Sequence, residues 1–181
     1  MSKISLIFYW VFFAVLNLKA SEYEITVLAT NTANFGGIGE WSFSALLESD
    51  DEKILFDTGF NENTVLHNAN LLGKDLSQVE KVILSHFHGD HTGGLIKLRK
   101  TFKEINPKAF STVYVADGFF EQRYDENGEL RGFIGGFNDV DNFLKETDDL
   151  GIKFIILKEP IEISKNLYLS GPVERIHEKV V

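Results

Sequence analysis

The feature that most constrains this chain is a cluster of metal-binding residue types directly after a short apolar run. The cluster reads Ser85-His86-Phe87-His88-Gly89-Asp90-His91-Thr92-Gly93-Gly94. It holds three of the five histidines of the chain and one aspartate within six residues. Imidazole and carboxylate are the ligands of hydrolytic zinc sites, so the cluster predicts a metal centre. The alternative is a chance histidine cluster on a solvated loop, which needs neither the apolar strand before it nor the helix after it.

The spacing within the cluster predicts two metal ions rather than one. His86 and His88 are two residues apart, an alternation that can aim both rings at one metal as an extended chain leaves a strand. Asp90 and His91 follow where the chain turns into a helix, so they can face a second metal. Two metal ions about 3.5–4 Å apart lower the pKa of a shared water and polarise the group that it attacks.

Elsewhere the chain alternates between strand-like and helix-like patterns. Short apolar or alternating runs predict strands at 24–30, 42–48, 53–56, 81–84, 112–116, 154–157 and 167–169. Apolar residues at helical spacing predict helices at 63–72, 94–102 and 139–150, with Asp139 as the N-cap of the last. In the helix at 94–102 we expect a solvated face made of Lys97, Arg99, Lys100 and Lys103. Strands that alternate with amphipathic helices indicate an α/β layered domain.

Charge and cysteine content exclude several classes of function. The formal net charge of −9 argues against a nucleic-acid partner, which requires a basic face. The absence of cysteine excludes disulfides, thiolate metal sites, a cysteine nucleophile and a lipoprotein anchor. We therefore expect a small-molecule substrate.

The first twenty residues have the pattern of a secretory signal peptide. Lys3 precedes a nearly continuous apolar run from Ile4 to Leu18, which is too short to span a bilayer comfortably. Ala20 is a small residue before an expected cut at Ala20-Ser21. We therefore expect a signal peptide at 1–20, a domain at 21–181, export to a periplasm or beyond, and no stable membrane anchor. An uncleaved N-terminus that anchors the protein to a membrane is the alternative.

The segment from Leu84 to Leu95 resembles the signature of the metallo-β-lactamase-fold hydrolases, and Ile54-Leu55-Phe56-Asp57-Thr58-Gly59 resembles the strand and turn that precede it in that superfamily. Further segments resemble one branch, the dihydropterin-type aminobenzene ribofuranosyl phosphate synthases. These are Asn68-Ala69-x-Leu71-Leu72-Gly73, Val115-Ala116-Asp117-Gly118-Phe119-Phe120 and Leu169-Ser170-Gly171-Pro172-Val173-x-Arg175. The resemblance implies an αββα sandwich with two zinc ions. It implies hydrolysis of an ester, lactone, phosphoester or amide, or alternatively pterin-phosphate synthase or transferase chemistry.

The resemblance also implies a role for each residue of the site. His86 and His88 would bind the first zinc ion, and Asp90 and His91 the second. Asp90 would in addition orient or deprotonate the attacking water, which makes it the candidate catalytic residue. Asp57 would lie beneath the site and hold one of the ligands in place.

The superfamily pattern includes three further ligands downstream, and here the sequence departs from it. Only ten residues follow Gly171, and His177 among them matches no ligand position. We therefore expect the N-terminal half to two-thirds of the sandwich, with an apolar sheet face exposed to solvent. A missing C-terminal half, a homo-oligomer, or an inactive truncated fragment that binds metal weakly would each fit this expectation. Phe119, Phe120, Tyr124, Phe133 and Phe137 could form a lid, and Trp41 could line the cleft.

Overall fold

A computed structural model of the protein describes residues 23–49, 51–121, 124–129 and 140–173. The predicted signal peptide, Asp139, His177 and the aromatic residues Phe133 and Phe137 lie outside the described residues. The division of the chain into a signal peptide at 1–20 and a domain at 21–181 therefore stays a prediction.

The described residues are organised around one mixed sheet of six strands. The strands are β1 (Glu24–Ala29), β2 (Ser44–Glu48), β3 (Lys53–Phe56), β4 (Val79–Ile83), β5 (Thr112–Ala116) and β6 (Lys153–Leu157). They lie side by side in chain order; β1, β2 and β3 are antiparallel, whereas β3, β4, β5 and β6 are parallel. Because parallel strands end at the same edge of a sheet, the segments that follow β3, β4 and β5 are brought together there.

Helices cover one face of this sheet. They are α1 (Thr64–Leu71), α3 (Leu95–Phe102) and α4 (Val140–Asp149), whereas the short helix α2 (Gly89–Thr92) lies in the connection from β4 to α3. The main core lies between the sheet and these helices. The strand residues that enter this core alternate with residues that point to the opposite face of the sheet. Leu55 and Val82 from the sheet and Leu98 from α3 are completely buried there. The α/β prediction is confirmed.

The opposite face of the sheet carries a second, smaller apolar cluster. Ile54, Ile83 and Tyr114 pack there against Ile163. Ile163 belongs to a hairpin of β7 (Ile161–Ser164) and β8 (Leu167–Leu169), and its carbonyl accepts a hydrogen bond from Lys81 Nζ at 2.7 Å. The expectation of a bare second face is therefore wrong for the middle of the sheet, because a hairpin whose first strand was not predicted covers it.

The edge of that face stays open to solvent at β1. Ile25 and Val27 pair with Leu47 and Ala45 and are 64% and 47% exposed. Part of the predicted apolar surface is thus present, confined to the antiparallel end of the sheet.

The expected solvated face of α3 needs one correction, at Arg99. Its side chain is only 6% exposed. Its guanidinium donates to the carbonyls of Pro107, Ala109 and Leu150 at 2.8, 2.6 and 2.9 Å. Arg99 therefore joins α3 to the chain before β5 and to the end of α4, and it supplies donors to three carbonyl groups, of which that of Ala109 is buried.

We predict that Arg99→Met lowers the free energy of unfolding by at least about 3 kcal/mol, because it leaves these carbonyls without a donor. Lys100→Met is the matched control, since Lys100 makes one exposed ion pair with Glu146. Such pairs contribute only about 0.2–1 kcal/mol. Urea denaturation of both variants measures the difference. Equal losses would show that the three carbonyl contacts of Arg99 add no stability.

Candidate metal centre

The histidine cluster forms the connection from β4 to α3 at the carboxyl edge of the parallel strands. Ser85, His86 and Phe87 leave β4, and His88 is the extended N-cap residue of the short helix α2. Asp90 and His91 lie on α2 itself, so the helix turn folds them back towards His86. The predicted site residues thus lie at the end of one strand and on one helical turn.

A buried carboxylate lies beneath this loop. Asp57 directly follows β3, is 1% exposed and has a positive φ of 55°, a conformation that aspartate tolerates better than most residues. Its carboxylate accepts hydrogen bonds from the Ser85 amide at 2.8 Å, from the Ser85 hydroxyl at 2.7 Å and from His91 Nδ1 at 2.7 Å. Burial raises the pKa of Asp57, while these three donors pull that pKa the other way.

These hydrogen bonds decide which ring nitrogens are available for a metal. With Asp57 ionised, its carboxylate only accepts, so a neutral His91 ring then carries its proton on Nδ1 and leaves Nε2 bare. The Ser85 hydroxyl gives its proton to Asp57, so its 3.0 Å contact with His86 Nδ1 is donated by the histidine. Nε2 of His86 is then bare as well. In this arrangement both histidines have the tautomer in which Nε2 can bind a metal.

Three of the four predicted ligands converge. His86, Asp90 and His91 each offer a ligand atom, and these atoms lie within 4.8 Å of one another. His91 Nε2 is 3.6 Å from Asp90 Oδ2. His88 lies beside them, with its ring centre 4.6 Å from that of His86, but it does not belong to this group. The geometry therefore pairs His86 with Asp90 and His91, whereas the spacing had paired it with His88.

The environment of His86 also suits a metal ligand. Burial, together with the neighbouring His91 and His88, lowers the pKa of His86 from 6.5 to about 4. The ring is therefore neutral at pH 7 and does not need to lose a proton before it binds a cation. Two imidazoles and one carboxylate form a donor set that fits a divalent ion of the zinc type.

Backbone contacts hold the loop against the turn that carries Asp57. The Thr58 amide donates to the carbonyl of His91 at 2.7 Å, and the Gly93 amide donates to that of Gly59 at 2.9 Å. A Cβ at Gly93 would collide with the Phe60 carbonyl oxygen, and one at Gly94 with the carbonyl oxygen of Thr58. These two glycines thus allow two backbone segments to touch, which positions His91 over Asp57.

A cleft of about 590 Å³ opens beside His86, at the ends of the parallel strands. Its walls include Phe119 on one side and the segment Ser170–Val173 on the other. Trp41 does not line it and is 79% exposed. Of the aromatic residues expected to form a lid, Phe119 lines the cleft and Tyr124 is 59% exposed.

One polar residue of the site has a role that the sequence analysis did not assign. Ser85 links Asp57 to His86 and has a further contact of 3.5 Å with His91 Nδ1. The sequence feature that could have indicated this role is the position of Ser85 between the apolar strand and His86.

Comparison with known proteins agrees with this geometry. Residues 42–160 match the family model of the Metallo-beta-lactamase superfamily. The chain is 32% identical over 154 residues to the uncharacterized protein MJ0448 of Methanocaldococcus jannaschii, covering 85% of this chain and 55% of the relative. It is 29% identical to the 7,8-dihydropterin-6-methyl-4-(beta-D-ribofuranosyl)-aminobenzene-5'-phosphate synthase of the same organism, covering 86% of this chain and 52% of that protein. The chain thus spans about half the length of these curated relatives.

A similar solved structure is the crystal structure of Tm1679, a metal-dependent hydrolase of the beta-lactamase superfamily. It matches with a TM-score of 0.60 and 29% identity, over 84% of this chain and 49% of that one. The match supports the predicted fold and the family resemblance.

We predict that Asp57→Asn weakens zinc binding about 10- to 100-fold, the usual effect of losing a partner that orients a ligand. The new amide would donate to His91 Nδ1, which moves the ring proton to Nε2 and blocks that nitrogen. Asparagine also tolerates the positive φ of this position, so the turn is preserved. Competition with a chromophoric chelator measures the affinity. Asp51→Asn, in the exposed turn between β2 and β3, is the control, and an equal affinity for both variants would contradict the role of Asp57.

Proposed function

This chain belongs to the metallo-beta-lactamase superfamily, a family of metal-dependent hydrolases, and we propose that it acts as an exported zinc-dependent hydrolase of a small molecule. The observation that carries the proposal is the convergence of His86, Asp90 and His91, with Nε2 of both histidines left bare. We assign His86, His88, Asp90 and His91 to the protein side of a site for two zinc ions. An ester, a lactone, a phosphoester or an amide would suit this chemistry.

In such a site, bound zinc supplies an acidified water and polarises the group under attack. The residues of this chain carry out the remaining tasks. Asp90 accepts a hydrogen bond from the attacking water and takes its proton, so the water oxygen forms the new bond while the leaving group departs with a proton. Asp57 and Ser85 keep the two histidine rings in place during the reaction.

A second candidate function is synthase or transferase chemistry on a pterin-like phosphate. The 29% identity to the dihydropterin-type synthase favours it. Export disfavours it, because pterin cofactors are normally made in the cytoplasm.

A third candidate is a chain that binds metal weakly and does not turn over, since the described residues offer one convergent group of three donors and a dinuclear zinc site needs more. A partner half or a second copy would then complete the site.

The proposal of export is supported by the first twenty residues of the sequence, with Lys3 before the apolar run from Ile4 to Leu18. Among the helices of the described residues, none has the length and apolar character needed to cross a bilayer. The acidic net charge of −9 supports a small-molecule substrate over a nucleic acid.

We predict that the purified chain binds about two zinc ions and that His86→Ala/His88→Ala abolishes both tight binding and any hydrolysis. Elemental analysis after dialysis and a panel of chromogenic esters and phosphodiesters measure the two outcomes. Removing zinc with a chelator should abolish hydrolysis of the same substrates. His67→Gln is the matched control, because His67 lies on α1 and its ring contacts the Gly36 carbonyl, outside the histidine cluster. Zinc binding and hydrolysis unchanged in the double variant would refute the assignment. Weak binding without hydrolysis in the unchanged chain would favour the third candidate.

We also predict that the chain, produced from its full sequence in a bacterial host, is recovered from the periplasm or medium with Ser21 as its first residue. Intact-mass measurement and N-terminal sequencing check the cut. Replacing Val11 and Phe12 in the apolar run with arginine should retain the protein in the cytoplasm at full length. Recovery of uncut, unaltered chain from the cytoplasm would contradict export, whereas uncut chain in the membrane fraction would favour the anchored alternative.

A further inference from the structure

The cleft beside His86 contains a buried polar group that the metal chemistry does not use. Tyr114 lies on β5, is 9% exposed and lines this cleft. Within the part of the chain that the structure describes, the Tyr114 hydroxyl makes no hydrogen bond. Every side-chain polar atom that is sealed from solvent there has a partner, so the Tyr114 hydroxyl is not one of the sealed atoms. The hydroxyl is therefore open to the cleft and has an unused donor and acceptor.

The position of Tyr114 relates it to the metal centre. Tyr114 pairs with Ile83, which lies three residues before His86 on the neighbouring strand. At about 3.3 Å per residue, the two side chains are roughly 10 Å apart along the strand direction. A ligand that contacts both His86 and Tyr114 would therefore extend along the cleft in the strand direction.

The surroundings of Tyr114 define the kind of group that fits. The floor of the cleft is formed by apolar side chains of the sheet face opposite the helices, Ile83 and Leu157 among them. Four of the lining residues are aromatic: Phe56, Phe87, Tyr114 and Phe119. The polar lining residues Asp117 and Ser170 are exposed. The volume of about 590 Å³ lies in the usual range of small-molecule sites.

We propose that this cleft binds the ring system of an aromatic substrate and that the Tyr114 hydroxyl selects rings that carry a hydrogen-bonding heteroatom. Aromatic walls favour a flat ring over an open chain of equal volume, because rings gain from edge and stacking contacts. An unpaired, nearly buried hydroxyl penalises a ring that cannot bond to it. Tyr114 is thus a specificity-determining residue. That the occupant is a substrate rests on the proposed function, whereas the binding site itself does not require metal.

The test uses the full chain with two probes of nearly equal shape, β-naphthol and naphthalene, with and without zinc. We expect β-naphthol to bind more tightly and to shift the amide resonances of Ser85, Gly118 and Gly171, which line the cleft. Tyr114→Phe should weaken β-naphthol binding about five- to tenfold and leave naphthalene binding within about twofold. Tyr168→Phe is the matched control, because Tyr168 is 63% exposed on the neighbouring hairpin.

A second variant tests where the two probes bind, because its larger side chain fills part of the cleft. Ala116 lies two residues after Tyr114 on the same strand and lines the same cleft. Ala116→Leu should weaken both probes at least about tenfold. If this variant does not fold, the comparison of Tyr114→Phe with Tyr168→Phe still decides the matter.

The outcomes separate the site from the proposed function. No binding of β-naphthol, equal losses for both probes in Tyr114→Phe, or resonance shifts confined to the groove near Thr30 and Asn68 would overturn the inference. Zinc binding without β-naphthol binding would overturn the inference and leave the proposed function standing. Selective β-naphthol binding without zinc binding would support the site and refute the proposed function.

Discussion

The candidate metal centre depends on one buried carboxylate, that of Asp57. It receives hydrogen bonds from Ser85, the second residue after β4, and from His91 on the helical turn α2, while Asp57 itself directly follows β3. A carboxylate removed from water is tolerated only when its lone pairs are bonded, so all three segments must be in place together. The direction of its pKa shows that burial still outweighs these bonds. The tautomers of His86 and His91 follow from this arrangement rather than from the histidines themselves.

Much of the fold could be predicted because the periodicity of the sequence reflects burial. The alternation at β5 and the apolar spacing of α3 reproduced the observed elements within one or two residues. Two features of the fold were not predicted from the sequence. β7 has four residues and only a three-residue partner, too short for a clear pattern. Arg99 follows Leu98 at the border of the apolar face, and its partners are carbonyls of other segments, which no helical period reveals.

The site could be located from the sequence, but its internal arrangement could not. Residue types and spacing placed the candidate ligands on one loop. Which of them converge depends on where the strand ends and the helix begins, and His88 occupies that boundary as the N-cap of α2. Its ring therefore lies beside the group formed by His86, Asp90 and His91. The role of Ser85 depends on a contact 28 residues away in the chain, which only the parallel pairing of β3 and β4 creates.

The same pairing gives the candidate ligand loop and the proposed ring-binding cleft different structural supports. The backbone of the turn after β3 and the glycines before α3 touch directly, so the ligand loop has little freedom to vary. The lining of the cleft instead includes side chains on the sheet face opposite the helices, Ile83, Tyr114 and Leu157. Because successive strand residues point to opposite faces, a substitution at Tyr114 changes the cleft while Val113 and Val115 keep their places in the helix-side core. On this proposal, the choice of substrate can change at Tyr114 without a substitution among the candidate metal ligands or in the main core.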